Sequence, residues 1–440
     1  MIPARSHGLA VDSENSMNRA EMPLPRVLRW FWIGSVVAFV LMVLVNYLEY
    51  LAGVPWDERS PMADPLFGDL LEFVSKFQLA HTTGFFRSTA FSGIAYPPLG
   101  AVFYALIYSF GHPVMFYLGI FALWLGIAIA GVRGHLIDFG INRTTAILFP
   151  LTLIAVSYPV EGLVQRGNIE LFVWIFTATG VWAFLRGRDK TAAMLWGLAA
   201  AAKLYPIILL ALLVTKMRWK AFILGLGAFL ISSILSMAYM GPTMSVALKR
   251  SLRNVFGYQD IRASLWSGHE FAANHSAFVP VKFVALAAGG ATAPPTNFYY
   301  LAGGLIFIAL FFGKVRRMPI INQVLVVTIF MVTLPTISYF YSLVHLYAPF
   351  LMLVFLGIRA KRAGMRIPGL TGTILLFVPI FAAFTVFTYP KVFLFGGLIQ
   401  AFMLIGLLLR GAQFPFGLEG VARADQQTGT EPGGSLLEKA

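Results

Sequence analysis

Residues 186–220 read RGRDKTAAMLWGLAAAAKLYPIILLALLVTKMRWK, an apolar run from 192 to 215 closed at each end by basic residues. The clusters are Arg186, Arg188 and Lys190 on one side and Lys216, Arg218 and Lys220 on the other. A run of about 20 apolar residues is long enough to span a bilayer, and Lys and Arg collect in cytoplasmic loops. Both ends of this run therefore belong in the cytoplasm, so the chain must enter and return. Lys203-Leu-Tyr-Pro206 supplies the turn, because Pro206 lacks a backbone donor and Lys203 interrupts the apolar face. The expectation is two short helices meeting near Lys203.

The pattern repeats outward from this stretch. Further apolar runs lie at about 30–50, 113–132, 144–160, 169–186, 218–240, 297–313, 319–337, 342–357, 369–387 and 392–410. Basic clusters between them include Arg26/Arg29, Arg133/Arg143, Lys314/Arg316/Arg317 and Arg359/Lys361/Arg362/Arg366, which together with the first two hold most of the 33 basic residues. The short run 97–111 cannot cross without moving Arg133 and Arg143 outside, so it reads as a re-entrant or juxtamembrane helix. The expected fold is an all-α polytopic membrane protein of about 12 transmembrane helices, with both termini cytoplasmic.

Composition agrees. Of 440 residues, 58% are hydrophobic and 12% charged, with a mean hydropathy of +0.76. A soluble domain carries about twice that charge. The net charge of +14 follows membrane sidedness rather than a phosphate-binding face, so no nucleic-acid partner is expected. With no cysteine, thiol nucleophiles and cysteine-ligated metals are excluded. His269, Glu270 and His275 lack zinc-type spacing and there is no Gly-rich phosphate loop, so no metal or other cofactor is expected.

The domain organisation follows: a cytoplasmic segment 1–29, a membrane domain 30–410, and a disordered cytoplasmic tail 411–440. Two external loops are long, about 51–112 and 241–296. The first holds Asp57, Glu58, Asp64, Asp69 and Glu72, five of only 19 acids. An acid a few residues beyond a membrane helix sits at the interface, where it serves either as a general base or merely to solvate the loop.

Four stretches carry a resemblance: Asp69-Leu-Leu-Glu-Phe73, Tyr96-Pro-Pro-Leu99, Gln165-Arg-Gly-Asn168, and Ala199 to Lys203-Leu-Tyr-Pro206 ahead of Lys216-Met-Arg-Trp-Lys220. In this order the chain resembles the GT-C superfamily of integral-membrane glycosyltransferases, and within it glycosyltransferase family 87, which includes polyprenol-phosphate-mannose-dependent α-mannosyltransferases. The likeness is poorer after residue 220. There Pro335-Thr-Ile-Ser-Tyr-Phe-Tyr-Ser-Leu-Val-His345 keeps the His of a family box and loses its Trp.

The resemblance implies an inverting glycosyltransferase in a bacterial plasma membrane. It would move a sugar from a polyprenyl-phosphate donor to a lipid- or glycan-linked acceptor on the external face. The catalytic base would be Asp69, with Asp64 as second choice. Lys203, Arg166 and His345 would bind the donor phosphate, and Gln165, Asn168, Tyr96 and Tyr205 would line the substrate. Other readings stay open: a lipid or sugar transporter without bond chemistry, or an oligosaccharide-lipid ligase or polymerase. Residue by residue, Lys203 either pairs with a carboxylate or holds phosphate. Arg166 either forks phosphate or snorkels to headgroups. Glu170, at a helix start, reads more readily as a helix-dipole carboxylate than as a functional one. Arg250, Arg253, His269 and His275 either line an acceptor entrance or face headgroups.

Overall fold

The computed structural model describes residues 25–53, 66–76, 96–253, 274–288, 296–381 and 396–417. Asp57, Glu58, Asp64, Arg262, His269 and Glu270 lie outside these residues, as does the tail beyond 417. Among the described residues every named element is helical. Helix α1 (Arg26–Leu51) leads to the short α2 (Gly68–Lys76). Then follow α3 (Pro98–Ser109), α4 (Pro113–Asp138), α5 (Arg143–Ala155), α6 (Tyr158–Arg166), α7 (Glu170–Leu185) and α8 (Asp189–Ala202). A 3₁₀ segment Tyr205–Leu210 runs into α9 (Ala211–Thr215), and α10 (Trp219–Met240) follows. The C-terminal part contributes helices Phe278–Ala287, Thr296–Gly313, Ile320–Thr333, Tyr347–Arg362, Leu370–Phe381 and Gly396–Gln413.

Among the described residues six helices are long and apolar enough to cross a membrane, and a seventh if α5 and α6 form one broken span bent by 56°. The expected count of about 12 is not reached by these alone. Several apolar runs, including Glu170–Leu185, Ile320–Thr333 and Leu370–Phe381, form helices of 10–17 residues. At 1.5 Å rise per residue, such helices fall short of the roughly 30 Å hydrocarbon core. Ile320–Thr333 shows the reason: from Ile321 to Thr333 every residue is buried, so its apolar surface is satisfied by protein rather than lipid. The run 144–160 likewise divides, at Val156 and Ser157.

The last helix reaches Gln413, and Asn322 Nδ2 donates to the carbonyls of Gly411 (2.7 Å) and Phe414 (2.6 Å) while its Oδ1 accepts from the Phe416 amide. Part of the expected second external loop is helical too, at 244–253 and Phe278–Ala287.

The expected break near Lys203 is present. Helix α8 ends at Ala202, Lys203 adopts extended backbone (φ −144°, ψ 134°), and Pro206 opens the 3₁₀ segment. The Ala-rich end of α8 is fully buried from Ala199 to Ala202. Small residues let membrane helices approach closely. At Gly197 a Cβ would come within 2.3 Å of the Gly225 carbonyl oxygen on α10, so this crossing requires glycine. Helix α7 packs on the other face of α8, with Trp196 wedged against Phe184 (5.5 Å between ring centroids). These contacts hold Lys203 and the start of α7 in a fixed relation.

Candidate active site

Helix α6 delivers the first part of the site. Ser157 caps its start by accepting from the Val160 amide, and Gly167 ends it in the left-handed region (φ +62°). A Cβ at Gly167 would lie 2.7 Å from Leu70 Cβ, so the turn admits α2 only because the residue is glycine. Tyr117 Oη donates to the carbonyls of Leu163 and Asn168, clamping both sides of the turn. The Phe67 amide donates to the Gln165 carbonyl. The loop that carries α2 and the Gln165–Asn168 turn are thus joined by backbone.

Asp69 sits in the first turn of α2 and is buried. Arg166 donates to its Oδ1 at 2.7 Å, and Asn168 Nδ2 donates to its Oδ2. Asn168 Nδ2 also donates to Tyr96 Oη at 2.9 Å. On its other side, Asn168 Oδ1 accepts from the Glu170 amide (2.9 Å) and from Lys203 Nζ (3.0 Å). This pattern fixes which way the amide points, since only the oxygen can accept from an ammonium and a backbone amide.

Lys203 Nζ donates to Glu170 Oε2 at 2.6 Å. Its ammonium lies 5.3 Å from the Tyr96 ring and 5.0 Å from the Tyr341 ring, within cation–π range. Glu170 has no exposed surface. Its Oε1 accepts from Tyr205 Oη and faces His345 Nε2 at 2.6 Å. A carboxylate only accepts, so Nε2 carries the proton, while Nδ1 faces Thr177 Oγ1 at 2.8 Å.

The arrangement joins two ion pairs, Asp69–Arg166 and Glu170–Lys203, through one amide side chain. Two anions and two cations balance, as burial of charge requires. Two donor groups remain available to an anion. Arg166 keeps 35% of its side-chain surface and has five N–H donors. Lys203 has a third N–H with no hydrogen-bond acceptor among the described residues.

The geometry brings together Asp69, Arg166, Asn168, Lys203, Tyr96, Tyr205 and His345. Gln165 turns the other way, donating to Glu161 at 3.0 Å, and lines a separate groove. His345 is buried behind Glu170 with both ring nitrogens engaged, which makes it a support for Glu170. His275 is buried apart from Asp69, against Ser338 and Ser342. Sequence reasoning passed over Thr177 and Tyr341 and read Glu170 as a helix-dipole carboxylate. Tyr341 lies in the quoted stretch ending at His345, which was the available signal. Glu170 had only its place two residues after Asn168.

The model of glycosyltransferase family 87 matches residues 95–335, more than half of the chain. The chain belongs to glycosyltransferase family 87. The resemblance drawn from the motifs, GT-C superfamily included, is therefore borne out, and the match runs well beyond residue 220. It covers Tyr96, Arg166, Asn168, Glu170, Lys203 and Tyr205, while Asp69 and His345 lie outside it. No curated protein and no solved structure matches the chain. Family 87 membership makes this membrane protein a glycosyltransferase.

Proposed function

We propose that the chain is an inverting glycosyltransferase that takes its sugar from a polyprenyl-phosphate donor and passes it to a lipid- or glycan-linked acceptor on the external face of a bacterial plasma membrane. The observation that carries this reading is the single Asn168 side chain hydrogen-bonded to both Asp69 and Lys203. It couples a carboxylate suited to take a proton with an ammonium suited to hold a phosphate. Nothing in the sequence suggests a nucleotide site, and a membrane-embedded site suits a donor carried on a lipid.

In this reading Asp69 removes the proton of the acceptor hydroxyl as that oxygen attacks the anomeric carbon. Attack comes from the face opposite the phosphate, so the configuration inverts. The sugar–phosphate C–O bond breaks, and its electron pair leaves on the phosphate oxygen. Lys203 and Arg166 meet the growing charge of the leaving phosphate. Phosphate is already a competent leaving group, so no second carboxylic acid is required. Glu170, Tyr205 and His345 hold Lys203 in position, and Tyr96 and Tyr341 flank the sugar's seat.

The test is transfer by purified protein from radiolabelled sugar donors of three kinds. Transfer from a polyprenyl-phosphate sugar supports the reading. Transfer from a nucleotide sugar alone, or only from an oligosaccharide pyrophosphate lipid, overturns it.

A further inference from the structure

Two basic turns lie side by side at one end of the helix bundle. The turn from α7 into α8 carries Arg186, Arg188 and Lys190, and the turn from α9 into α10 carries Lys216, Arg218 and Lys220. The one acid within 186–190 and 216–220 is Asp189, and Arg218 donates to it at 3.1 Å, which ties the two turns together. Arg186, Arg188, Lys190 and Lys220 are exposed, and none of them forms an ion pair among the described residues.

Basic turns by themselves only mark sidedness. Here they are also organised. Gly187 takes left-handed backbone (φ +69°) between the two arginines, and the Arg188 amide donates back to the Ala183 carbonyl. The turn brings both guanidinium groups over one ring, with Arg186 Cζ 5.1 Å and Arg188 Cζ 5.8 Å from the Trp182 centroid. Cation–π contact steadies a guanidinium without using its N–H donors, so each keeps a fork for a phosphate.

The flank of the cations is apolar. Trp182 and Trp219 are 42% and 47% exposed, and Ile223, one turn along α10 from Trp219, is 65% exposed. Half-exposed indoles beside cations suit headgroup depth, with aliphatic side chains in the acyl region beyond. A free phosphate would use the cations and leave this flank bare; a phospholipid covers both. Four cations without an ion-pair partner, spread over two linked turns, also exceed what one phosphodiester neutralises. A second phosphate on the same headgroup would bind at high effective concentration.

We infer that these turns seat a phospholipid carrying two phosphates on one headgroup, the first on Arg186 and Arg188 and the second at Lys220, with acyl chains along Trp219 and Ile223. The inference holds whichever donor and acceptor the enzyme uses. Its test titrates the purified full chain in detergent with diphosphatidylglycerol, phosphatidylglycerol and phosphatidylcholine, counting bound lipid by native mass spectrometry.

One diphosphatidylglycerol should bind at least about tenfold more tightly than phosphatidylglycerol. Arg186→Gln with Arg188→Gln should weaken it about thirtyfold, and Lys220→Gln alone about fivefold, from the strength of a Lys or Arg beside an anionic headgroup. Arg316→Gln with Arg317→Gln removes the same charge from another exposed basic turn and should leave binding within about twofold. Thermal unfolding in phosphatidylcholine checks that each variant is folded, and Lys220→Gln carries the test if the double variant is not. Equal losses in the two arginine pairs would reduce the turns to sidedness signals and overturn the inference. So would equal binding of phosphatidylglycerol, or displacement of the lipid by chain-free glycerol bisphosphate at the same concentration.

Discussion

Lys203 Nζ lies 2.6 Å from Glu170 Oε2, and Glu170 has no surface exposed to carry its charge without that partner. The pair is held from three sides. Tyr205 and His345 contact the other carboxylate oxygen, and Asn168 accepts from the same ammonium. A lysine read from sequence as a lone charge in an apolar run is the centre of a neutralised cluster.

That arrangement predicts a specific double-variant cycle. Lys203→Met alone should cost about 3–5 kcal/mol of stability, because it strands a buried carboxylate. Adding Glu170→Gln should recover much of that loss. Donor affinity should remain reduced by about 1.5–3 kcal/mol in the double variant, the range for hydrogen bonds to charged groups. Thermal unfolding in detergent and titration of the lipid donor check the two halves. Recovered donor binding in the double variant would reduce Lys203 to an ion-pair partner.

Asn168 is predicted to act on both halves of the site. Asn168→Ala removes a donor to Asp69 and an acceptor for Lys203 together, so kcat should fall and the donor KM should rise. Each missing bond costs about 1–3 kcal/mol when its partner stays buried. Steady-state kinetics with varied donor separates these effects. A change in stability with neither kinetic constant altered would make the amide purely structural.

Sidedness is testable because the chain has no native cysteine. Single cysteines at Asn142, Gln165 and Arg188 can be probed with an impermeant thiol reagent in intact cells. Gln165→Cys should label from outside, whereas Asn142→Cys and Arg188→Cys should not, since Arg133, Arg143, Arg186 and Lys190 mark the cytoplasmic side. External labelling at Asn142→Cys would make 98–109 a span and invert α6.

The break at Lys203-Leu-Tyr-Pro206 was legible because proline and an intramembrane charge act locally. So were Gly167 and Asn168, in a turn whose chemistry is written in four consecutive residues. Glu170 was not legible. Its partners Lys203 and His345 stand 33 and 175 positions away, and only the packing of α7 on α8 brings them near. At a helix start the same residue is equally explained by the dipole. Helix number was hard to read for a related reason. An apolar run reads alike whether protein or lipid covers it, and Ile320–Thr333 is covered by protein.

If Asp69 takes the acceptor proton, Asp69→Asn must lose turnover. The variant keeps an oxygen for Arg166 but presents a second donor toward Asn168, so a stability loss of about 1–3 kcal/mol is expected. Measured on folded protein with radiolabelled polyprenyl-phosphate sugar, turnover should fall by at least about 100-fold while donor binding persists. Turnover within a few-fold of the parent, with Asp64→Asn inactive instead, would contradict the assignment and move the base to Asp64.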